Sequence, residues 1–354
     1  MMAQFLLNTH SYGVLSPYVI AEIGVNHEGD LDRAKSMIQS IAKSGAHAAK
    51  FQSYKADLLA TSTSSPAYWD RTKEAASSQH ELFQRWDTFG PKEYQALADE
   101  CRNCGIDFMS TPFDLEAVDM VADISPVIKV ASADLTNIPL LRRIGARGLP
   151  TIMSTGASRL DEIATGCAEL KAAGAGQIAL LHCVLNYPTL PADAQLAQIP
   201  LLQKTFGQDC VIGYSDHVKP DDDGSMPALE MAALMGAVVI EKHFTDDKSG
   251  VGNDHYHAMD EADCTAFMDK LAVYRDLYGS AERDISGEAT AIKNARRRVV
   301  AARPLTAGTT LTENDLIALR SDDGIEIAHW DRVVGRSLAR EVAGGTPLQW
   351  HDLS

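Results

Sequence analysis

Two apolar runs and the segment between them, from Val211 to His243, decide the fold. The first run is Val211-Ile212-Gly213-Tyr214-Ser215, and the second is Ala237-Val238-Val239-Ile240-Glu241-Lys242-His243. Both runs end in polar side chains, and the intervening Met226–Gly236 has the apolar spacing of a helix and stops at a glycine. A strand, a helix and a second strand in this order predict parallel strands joined by a right-handed crossover.

The same unit recurs through the first 280 residues, with helix-like segments such as Asp32–Ser44, Lys92–Cys104 and Arg159–Ala173 between the runs. The eight runs are Tyr18–Gly24, His47–Gln52, Ile106–Ser110, Val127–Ser132, Pro150–Ser154, Gln177–Cys183, Val211–Ser215 and Ala237–His243. Eight such units favour a closed barrel over an open sheet. We therefore predict an α/β fold in which residues 1–280 form a (β/α)8 TIM barrel.

The remaining chain has a different character. Residues 281–298 are polar and basic, which predicts a linker. Within residues 299–354, the stretch Ala302–Leu316 matches Ala339–Leu353 at an offset of 37, with seven identities in fifteen positions. An internal repeat of this length predicts a small, β-rich domain with pseudo-twofold symmetry.

Charge and composition exclude several classes of protein. The net charge is −16, and residues 283–354 hold ten basic and ten acidic side chains, so the whole excess lies in the barrel region. An acidic barrel region of this kind disfavours a nucleic-acid partner. No apolar run approaches a membrane span, and six scattered cysteines do not suggest a disulfide framework. We expect a cytoplasmic protein with no membrane partner.

The carboxyl ends of barrel strands meet at one mouth, where catalytic groups of such barrels lie. Lysines, hydroxyls, carboxylates and imidazoles together predict a polar pocket that suits an anionic substrate and a metal ion. The polar residues at the predicted strand ends are Glu22, Asn26, Lys50, Gln52, Thr111, Lys129, Ser132, Ser154, Thr155, His182, Asn186, Tyr187, Ser215, Asp216, His217, Glu241 and His243.

Several of these strand ends belong to longer motifs, and together the motifs resemble the sialic acid synthase family. The motifs are Ala21-Glu22-Ile23-Gly24-Val25-Asn26-His27-Glu28-Gly29, Ser110-Thr111-Pro112-Phe113, Lys129-Val130-Ala131-Ser132, Ser154-Thr155-Gly156, Leu181-His182-Cys183, Tyr187-Pro188-Thr189, Tyr214-Ser215-Asp216-His217 and Glu241-Lys242-His243-Phe244-Thr245. The C-terminal repeat resembles the antifreeze-like (SAF) domain of that family. The likeness runs through nearly the whole chain in order.

The resemblance implies a reaction and its partners. Members of the family condense phosphoenolpyruvate with an open-chain amino sugar, which gives a nine-carbon 2-keto-3-deoxy sugar acid (a nonulosonate) and phosphate. The implied acceptor is N-acetylmannosamine or a bacterial relative, and the implied cofactor is Mn²⁺ or Mg²⁺. The family also implies a domain-swapped homodimer, in which the SAF domain of one chain covers the barrel mouth of the other.

The resemblance also assigns roles to residues of this chain. It places the metal on His217 and His243. It places phosphoenolpyruvate on Lys50, Thr111, Lys129, Ser132, Ser154, Asn186 and Ser215. It places the sugar on Glu22, Gln52, Asp134, Tyr187, Asp254 and Arg320, with Arg320 supplied by the partner chain. Direct catalytic roles are expected for Glu22, Lys50, Lys129 and Asp216.

Some features depart from the family pattern. Asp134 stands where many members have Glu, Leu185 occupies a position that often carries a polar side chain, and Lys219–Gly224 is long and acidic. These changes cluster on the acceptor side, so phosphoenolpyruvate is predicted more firmly than N-acetylmannosamine. His255 and His257 fall at no family metal position, and for them sugar contact and a plain surface position are both open.

Two further functions stay open from the sequence. Lys50 or Lys129 could form a Schiff base in a pyruvate-dependent aldolase or lyase, and a non-catalytic sugar-binding protein is also compatible with the pattern. The insertion that carries Trp69 and Trp86 fits either the barrel mouth or a dimer contact.

Overall fold

The computed structural model describes residues 4–63, 76–252 and 254–354. Trp69 of the insertion lies outside these residues. The chain forms two compact units, Met1–Tyr278 and Gly279–Ser354.

The first unit is built on eight parallel strands preceded by a short antiparallel hairpin. The hairpin consists of β1 (Phe5–Leu7) and β2 (His10–Tyr12). The parallel strands are β3 (Tyr18–Gly24), β4 (Ala48–Ser53), β5 (Asp107–Pro112), β6 (Ile128–Val130), β7 (Thr151–Ser154), β8 (Ile178–Cys183), β9 (Val211–Asp216) and β10 (Val239–His243). Their order in the sheet is β5-β4-β3-β10-β9-β8-β7-β6, and β5 also contacts β6. The sheet is therefore a nearly closed barrel, and the predicted fold class is confirmed.

Helices follow the strands on the outside of the barrel. They are α1 (Leu31–Lys43), α2 (Ala56–Leu59), α3 (Gln79–Trp86), α4 (Pro91–Cys104), α5 (Leu115–Ile124), α6 (Ile138–Gly145), α7 (Leu160–Ala173), α8 (Gln198–Phe206), α9 (Pro227–Leu234) and α10 (Glu261–Tyr278). Local sequence explains their ends: the Asp30 carboxylate caps α1 by accepting from the N–H groups of Asp32 and Arg33, and α4 ends at Gly105, whose φ of 74° a glycine adopts without strain. Among the helices of the described residues, none combines the length and the apolar character that a membrane span needs.

Two apolar layers hold the barrel together. The outer layer lies between strands and helices, and the inner layer fills the barrel near the amino ends of the strands. Phe5 and Leu7 of the hairpin belong to the inner layer, together with Tyr18 and Val211 at the starts of β3 and β9. The hairpin thus covers the amino end of the barrel.

The second unit has its own apolar core and repeats one local structure. Its elements are α11 (Ala289–Ala295), β11 (Arg297–Ala301), β12 (Leu316–Arg320) and α12 (Trp330–Val333), with β11 and β12 antiparallel. In the first repeat, Arg303 Nη2 lies 2.5 Å from Asp315 Oδ1. In the second, Arg340 Nε lies 2.5 Å from Asp352 Oδ1. Both pairs are 12 residues apart in the chain, so the sequence repeat is also a structural repeat.

Candidate active site

One cavity opens at the carboxyl end of the barrel strands, and twelve of the expected site residues line it. They are Glu22, Lys50, Gln52, Thr111, Lys129, Ser132, Ser154, Tyr187, Ser215, His217, His243 and Asp254. Because each comes from a strand end or from the loop that follows, the barrel itself brings these distant parts of the chain together.

Two buried lysines and two buried glutamates form the floor of the cavity. Lys50 Nζ lies 2.6 Å from Glu22 Oε1 and 3.6 Å from Glu241 Oε2. Lys129 Nζ lies 3.5 Å from Glu241 Oε1 and donates to Ser154 Oγ at 2.8 Å. The Glu241 carboxylate therefore lies between the two ammonium groups. Charged side chains this deeply buried are rare unless they are paired or bind a ligand.

The charges of this cluster support one another. Burial raises the pKa of the Glu22 carboxyl, but the ammonium groups of Lys50 and Lys129 outweigh burial and leave that pKa below its usual range. Burial lowers the pKa of Lys50, but Glu22 and Glu241 outweigh it, and the net shift is upward. For Lys129, burial dominates and the pKa falls. Of the two lysines of the floor, Lys129 therefore loses its proton more readily.

Three imidazoles lie beside this floor. The ring centroids of His217 and His243 are 5.3 Å apart, and the ring of His257 lies 4.9 Å from His243 and 5.8 Å from His217. His217 Nδ1 donates to the Val184 carbonyl at 2.8 Å, which fixes the ring and leaves Nε2 as the nitrogen that could bind a ligand. His243 lies between two carboxylates, with Nε2 3.4 Å from Glu22 Oε2 and Nδ1 3.2 Å from Asp254 Oδ2.

This corner has the chemistry of a divalent-cation site. Ligand atoms of His243, Asp254 and His257 all lie within 4.8 Å of one another. Burial lowers the pKa of both His243 and His257 far below 6.5, so the two rings are neutral, as metal ligation requires. Burial and the nearby Glu22 raise the pKa of Asp254 to about 7. Ionisation of this carboxyl group therefore costs free energy, and an adjacent cation would offset that cost.

The two histidines after β10 are not at the surface, so the expectation of a plain surface position is wrong for both. His255 and His257 are fully buried. His255 Nδ1 hydrogen-bonds Thr245 Oγ1 at 2.6 Å, and its Nε2 lies 3.3 Å from Glu28 Oε1. His257 instead packs against the rings of His217 and His243.

Four expected site residues do not line this cavity. Asp216 accepts from Tyr214 Oη at 2.8 Å and from Lys242 Nζ at 2.7 Å, away from the floor. The reason is strand geometry: Ser215 faces the cavity, so the next side chain faces the opposite side of the sheet. Asn186 is exposed, Asp134 accepts from Asn137 Nδ2 at 3.0 Å, and Arg320 is an exposed residue of the second unit.

Two features of the site, Glu241 and an apolar wall, are not assigned a role by the motifs. Glu241 and His243 are two positions apart on β10, so strand alternation alone places them on one face. The wall consists of Leu82, Phe83 and Trp86, on one side of α3, and Leu185. Helical spacing could have grouped the first three, but the sequence does not show which way the insertion turns.

Comparisons with known proteins find relatives that match nearly the whole chain. N,N'-diacetyllegionaminic acid synthase of Legionella pneumophila is 33% identical over 343 residues, covering 95% of this chain and 94% of that protein. The enzyme of the same name from Campylobacter jejuni is 33% identical and covers 90% and 94%. The crystal structure of N-acetylneuraminic acid (sialic acid) synthetase from Leptospira borgpetersenii is 29% identical, with a TM-score of 0.70, and covers 82% of this chain and 96% of that one.

Two family models match successive parts of the chain. Residues 37–283 match the model described as the NeuB family, and residues 296–354 match the SAF domain. The relatives are synthases of sialic-acid-type sugars, so the chain is an enzyme of this type. This chain therefore belongs to the NeuB family and carries a C-terminal SAF domain.

Proposed function

We propose that this enzyme condenses phosphoenolpyruvate with an open-chain 2-acetamido sugar, which yields a sialic-acid-like nonulosonate and phosphate. The observation that carries the proposal is the pair of buried lysines, Lys50 and Lys129, which face one cavity beside a cluster of imidazoles. A small substrate with a carboxylate and a phosphate needs cationic donors of this kind, and an aldehyde acceptor needs an electrophilic group next to them.

The donors around the lysines suit the two anionic groups of phosphoenolpyruvate. Thr111 and Ser132 line the same cavity, and Ser154 and Ser215 already hydrogen-bond to the floor. In the reaction, C3 of the enol attacks the aldehyde carbon and forms the new C–C bond. Water then adds to the cationic C2, and phosphate departs with cleavage of the C–O bond. Lys50 and Lys129 stabilise the negative charge on the departing phosphate.

A divalent cation, Mn²⁺ or Mg²⁺, held at the imidazole cluster would supply Lewis-acid polarisation of the aldehyde oxygen. His217 and His243 are the ligands that the family resemblance predicts. The carboxylate of Glu22 lies 3.4 Å from His243 Nε2 and is held ionised by the lysines, so it is placed to accept a proton from the attacking water.

Charge balance supports the need for a cation. Glu22 and Glu241 offset the charges of Lys50 and Lys129, and the floor as a whole is close to neutral. A neutral floor binds a multiply charged anion weakly in a buried cavity. A cation held at the imidazole cluster would restore the attraction, so we expect phosphoenolpyruvate binding to depend on the metal.

The apolar wall bears on the acceptor. Leu82, Phe83, Trp86 and Leu185 offer no polar side-chain group except the indole N–H, whereas Gln52 and Tyr187 supply the polar contacts. A wall of this kind suits methyl groups of acetamido and deoxy substituents better than a chain of hydroxyls. We therefore propose an acceptor that carries more acetamido or deoxy groups than N-acetylmannosamine.

Assembly and location complete the proposal. We propose a homodimer in which the SAF domain of one chain supplies Arg320 to the barrel of the other, as the family resemblance implies. The six cysteines are all unpaired, which supports a reducing, cytoplasmic location.

The test is phosphate release from phosphoenolpyruvate with Mn²⁺, N-acetylmannosamine and a 2,4-diacetamido-2,4,6-trideoxyhexose. We expect release with acetamido aldoses only, with the diacetamido sugar preferred, and no release after chelation. The Schiff-base alternative has one observation in its favour, the lowered pKa of Lys129. Borohydride trapping of a pyruvate adduct on Lys129, with no phosphate release, would replace the proposed reaction by that alternative.

A further inference from the structure

We propose that His257 is a direct ligand of the divalent cation, which it binds together with His243 and Asp254. The inference rests on the metal requirement of the proposed function, and it adds a ligand to the two histidines that the family resemblance predicts. It also assigns a role to a buried histidine that otherwise has none.

The geometry fits a single ion. Ligand atoms of the three residues lie within 4.8 Å of one another. Two ligands about 2.1 Å from one ion are at most about 4.2 Å apart. The cluster therefore needs only a small inward movement of each ligand, which side-chain rotation supplies. His217 faces the same space, with its ring centroid 5.3 Å from that of His243.

The hydrogen bonding of the cluster points to a missing partner. Within the described residues, both ring nitrogens of His257 are buried without a hydrogen bond, and His243 Nδ1, although 3.2 Å from Asp254 Oδ2, makes no hydrogen bond of acceptable geometry. Asp254 Oδ1 lies 3.8 Å from His257 Nε2, which is too long for a hydrogen bond. An unsatisfied buried polar group costs free energy, and an imidazole with both nitrogens unsatisfied calls for a ligand. His255, two positions earlier, is also fully buried, but its nitrogens have partners.

The loop is held in place independently of any ion. Asn26 Oδ1 accepts from the backbone N–H of Asp254 at 3.1 Å, and its Nδ2 donates to the Phe244 carbonyl at 2.9 Å. Beyond the histidines, Met259 N–H donates to the His243 carbonyl at 2.8 Å. Both ends of the segment that carries Asp254 and His257 are thus fastened to the end of β10, which keeps the ligands near their binding positions.

The donor set indicates which ions bind well. Two imidazoles and one carboxylate suit Mn²⁺, Co²⁺ and Zn²⁺, whereas Mg²⁺ prefers oxygen ligands and keeps its water. We expect Mn²⁺ to bind more tightly than Mg²⁺, and the difference to shrink when His257 is removed.

Calorimetric titration of chelator-treated full-length protein with Mn²⁺ tests the assignment without turnover. We expect His257→Ala and His257→Gln to lower Mn²⁺ affinity on the order of 100-fold, since even outer-shell changes cost about 10–100-fold. His255→Gln is the matched control, a buried histidine outside the cluster, and should bind Mn²⁺ as the wild type does. Comparison of melting temperatures restricts the measurement to variants that fold.

A second measurement needs no variant. Zn²⁺ added to wild-type protein with ¹⁵N-labelled histidine should shift the ring nitrogens of both His243 and His257 in NMR spectra. Shifts at His243 without shifts at His257, or wild-type Mn²⁺ affinity in a folded His257 variant, would overturn the proposal. Loss of metal affinity in an enzyme that condenses no sugar of the panel would instead refute the proposed reaction and leave the assignment of His257 intact.

Discussion

At the scale of single residues, the ammonium group of Lys129 loses its proton more readily than that of an ordinary lysine. Burial lowers the pKa of this lysine below its ordinary 10.5, although Glu241 partly opposes the shift. The proposed binding of phosphoenolpyruvate needs the ammonium form, so kcat/KM for this proposed substrate should fall at high pH, with a midpoint below that of an ordinary lysine. Measurement of kcat/KM against pH at saturating metal and acceptor tests this expectation.

The matched variant for that measurement is Lys129→Arg. Its guanidinium stays protonated across the range, so the alkaline fall should move to higher pH even if the maximal rate drops. An alkaline fall that is identical in the wild type and in Lys129→Arg would assign the titration to another group.

His27 links residue chemistry to stability. Its Nδ1 accepts from the Gly29 N–H at 3.0 Å, and its ring stacks on Phe89 with centroids 4.4 Å apart. Burial, aided by Arg33, lowers the pKa of His27 from 6.5 to about 4. The unfolded chain therefore takes up a proton at higher pH than the folded chain. Above the pKa that His27 has in the unfolded chain, this group does not lower the free energy of unfolding. As the pH falls from there towards the pKa in the folded chain, the free energy of unfolding decreases by about 1.4 kcal/mol per pH unit.

Urea denaturation at about pH 7 and about pH 5 measures that slope. His27→Gln, which keeps a hydrogen-bond acceptor but does not titrate, should lose less stability between the two pH values than the wild type. Equal losses would mean that other groups carry the acid sensitivity.

At the scale of elements, Gly213 shows how closely the barrel strands pack. A Cβ at this position of β9 would lie 2.2 Å from the Val239 carbonyl oxygen and 2.5 Å from Leu181 Cδ2. Gly213→Ala should therefore lower the free energy of unfolding by about 1–3 kcal/mol or more, because the backbone of β10 cannot move away. Gly13→Ala, where a Cβ meets nothing within 4 Å, is the control and should be nearly neutral. Urea midpoints of both variants decide the comparison.

The barrel strands also show how much of the fold the sequence can predict. All eight barrel strands can be predicted within about two residues of their ends, because strands buried on both faces appear as unbroken apolar runs. It is harder to predict on which face of the sheet the polar side chain at the end of a strand lies. Ser215 pairs in register with Glu241 on the cavity face, and Asp216 pairs with Lys242 on the other.

What the sequence could not supply lies outside the repeated strand–helix units of the barrel. His257 reaches the imidazole cluster through a loop after β10, and α3 brings its apolar side to the cavity from within the insertion. No periodicity fixes the path of such segments, so their contacts depend on tertiary packing. Motif resemblance helps only where the family shares the residue, and His257 falls at no family metal position.

At the scale of the whole molecule, the net charge of −16 belongs to the barrel region, while residues 283–354 are neutral. A neutral unit can approach the acidic barrel of a second chain without the repulsion that two acidic bodies would meet. Exchange of identical elements between two chains is also a low-cost route to a closed dimer. These arguments support the proposed swap and its composite active site.

The last prediction tests that assembly directly. Arg320→Ala and His217→Ala should each abolish most activity alone, because one removes the proposed sugar contact and the other a proposed metal ligand. If Arg320 serves the partner's barrel, a heterodimer of the two variants has one site with both lesions and one with neither. Random subunit exchange after mixing should then restore about a quarter of wild-type phosphate release. Two affinity tags, one on each variant, establish that exchange has occurred. Heterodimers that copurify through both tags yet stay inactive would show that Arg320 serves its own barrel or none, and the swapped arrangement would be wrong.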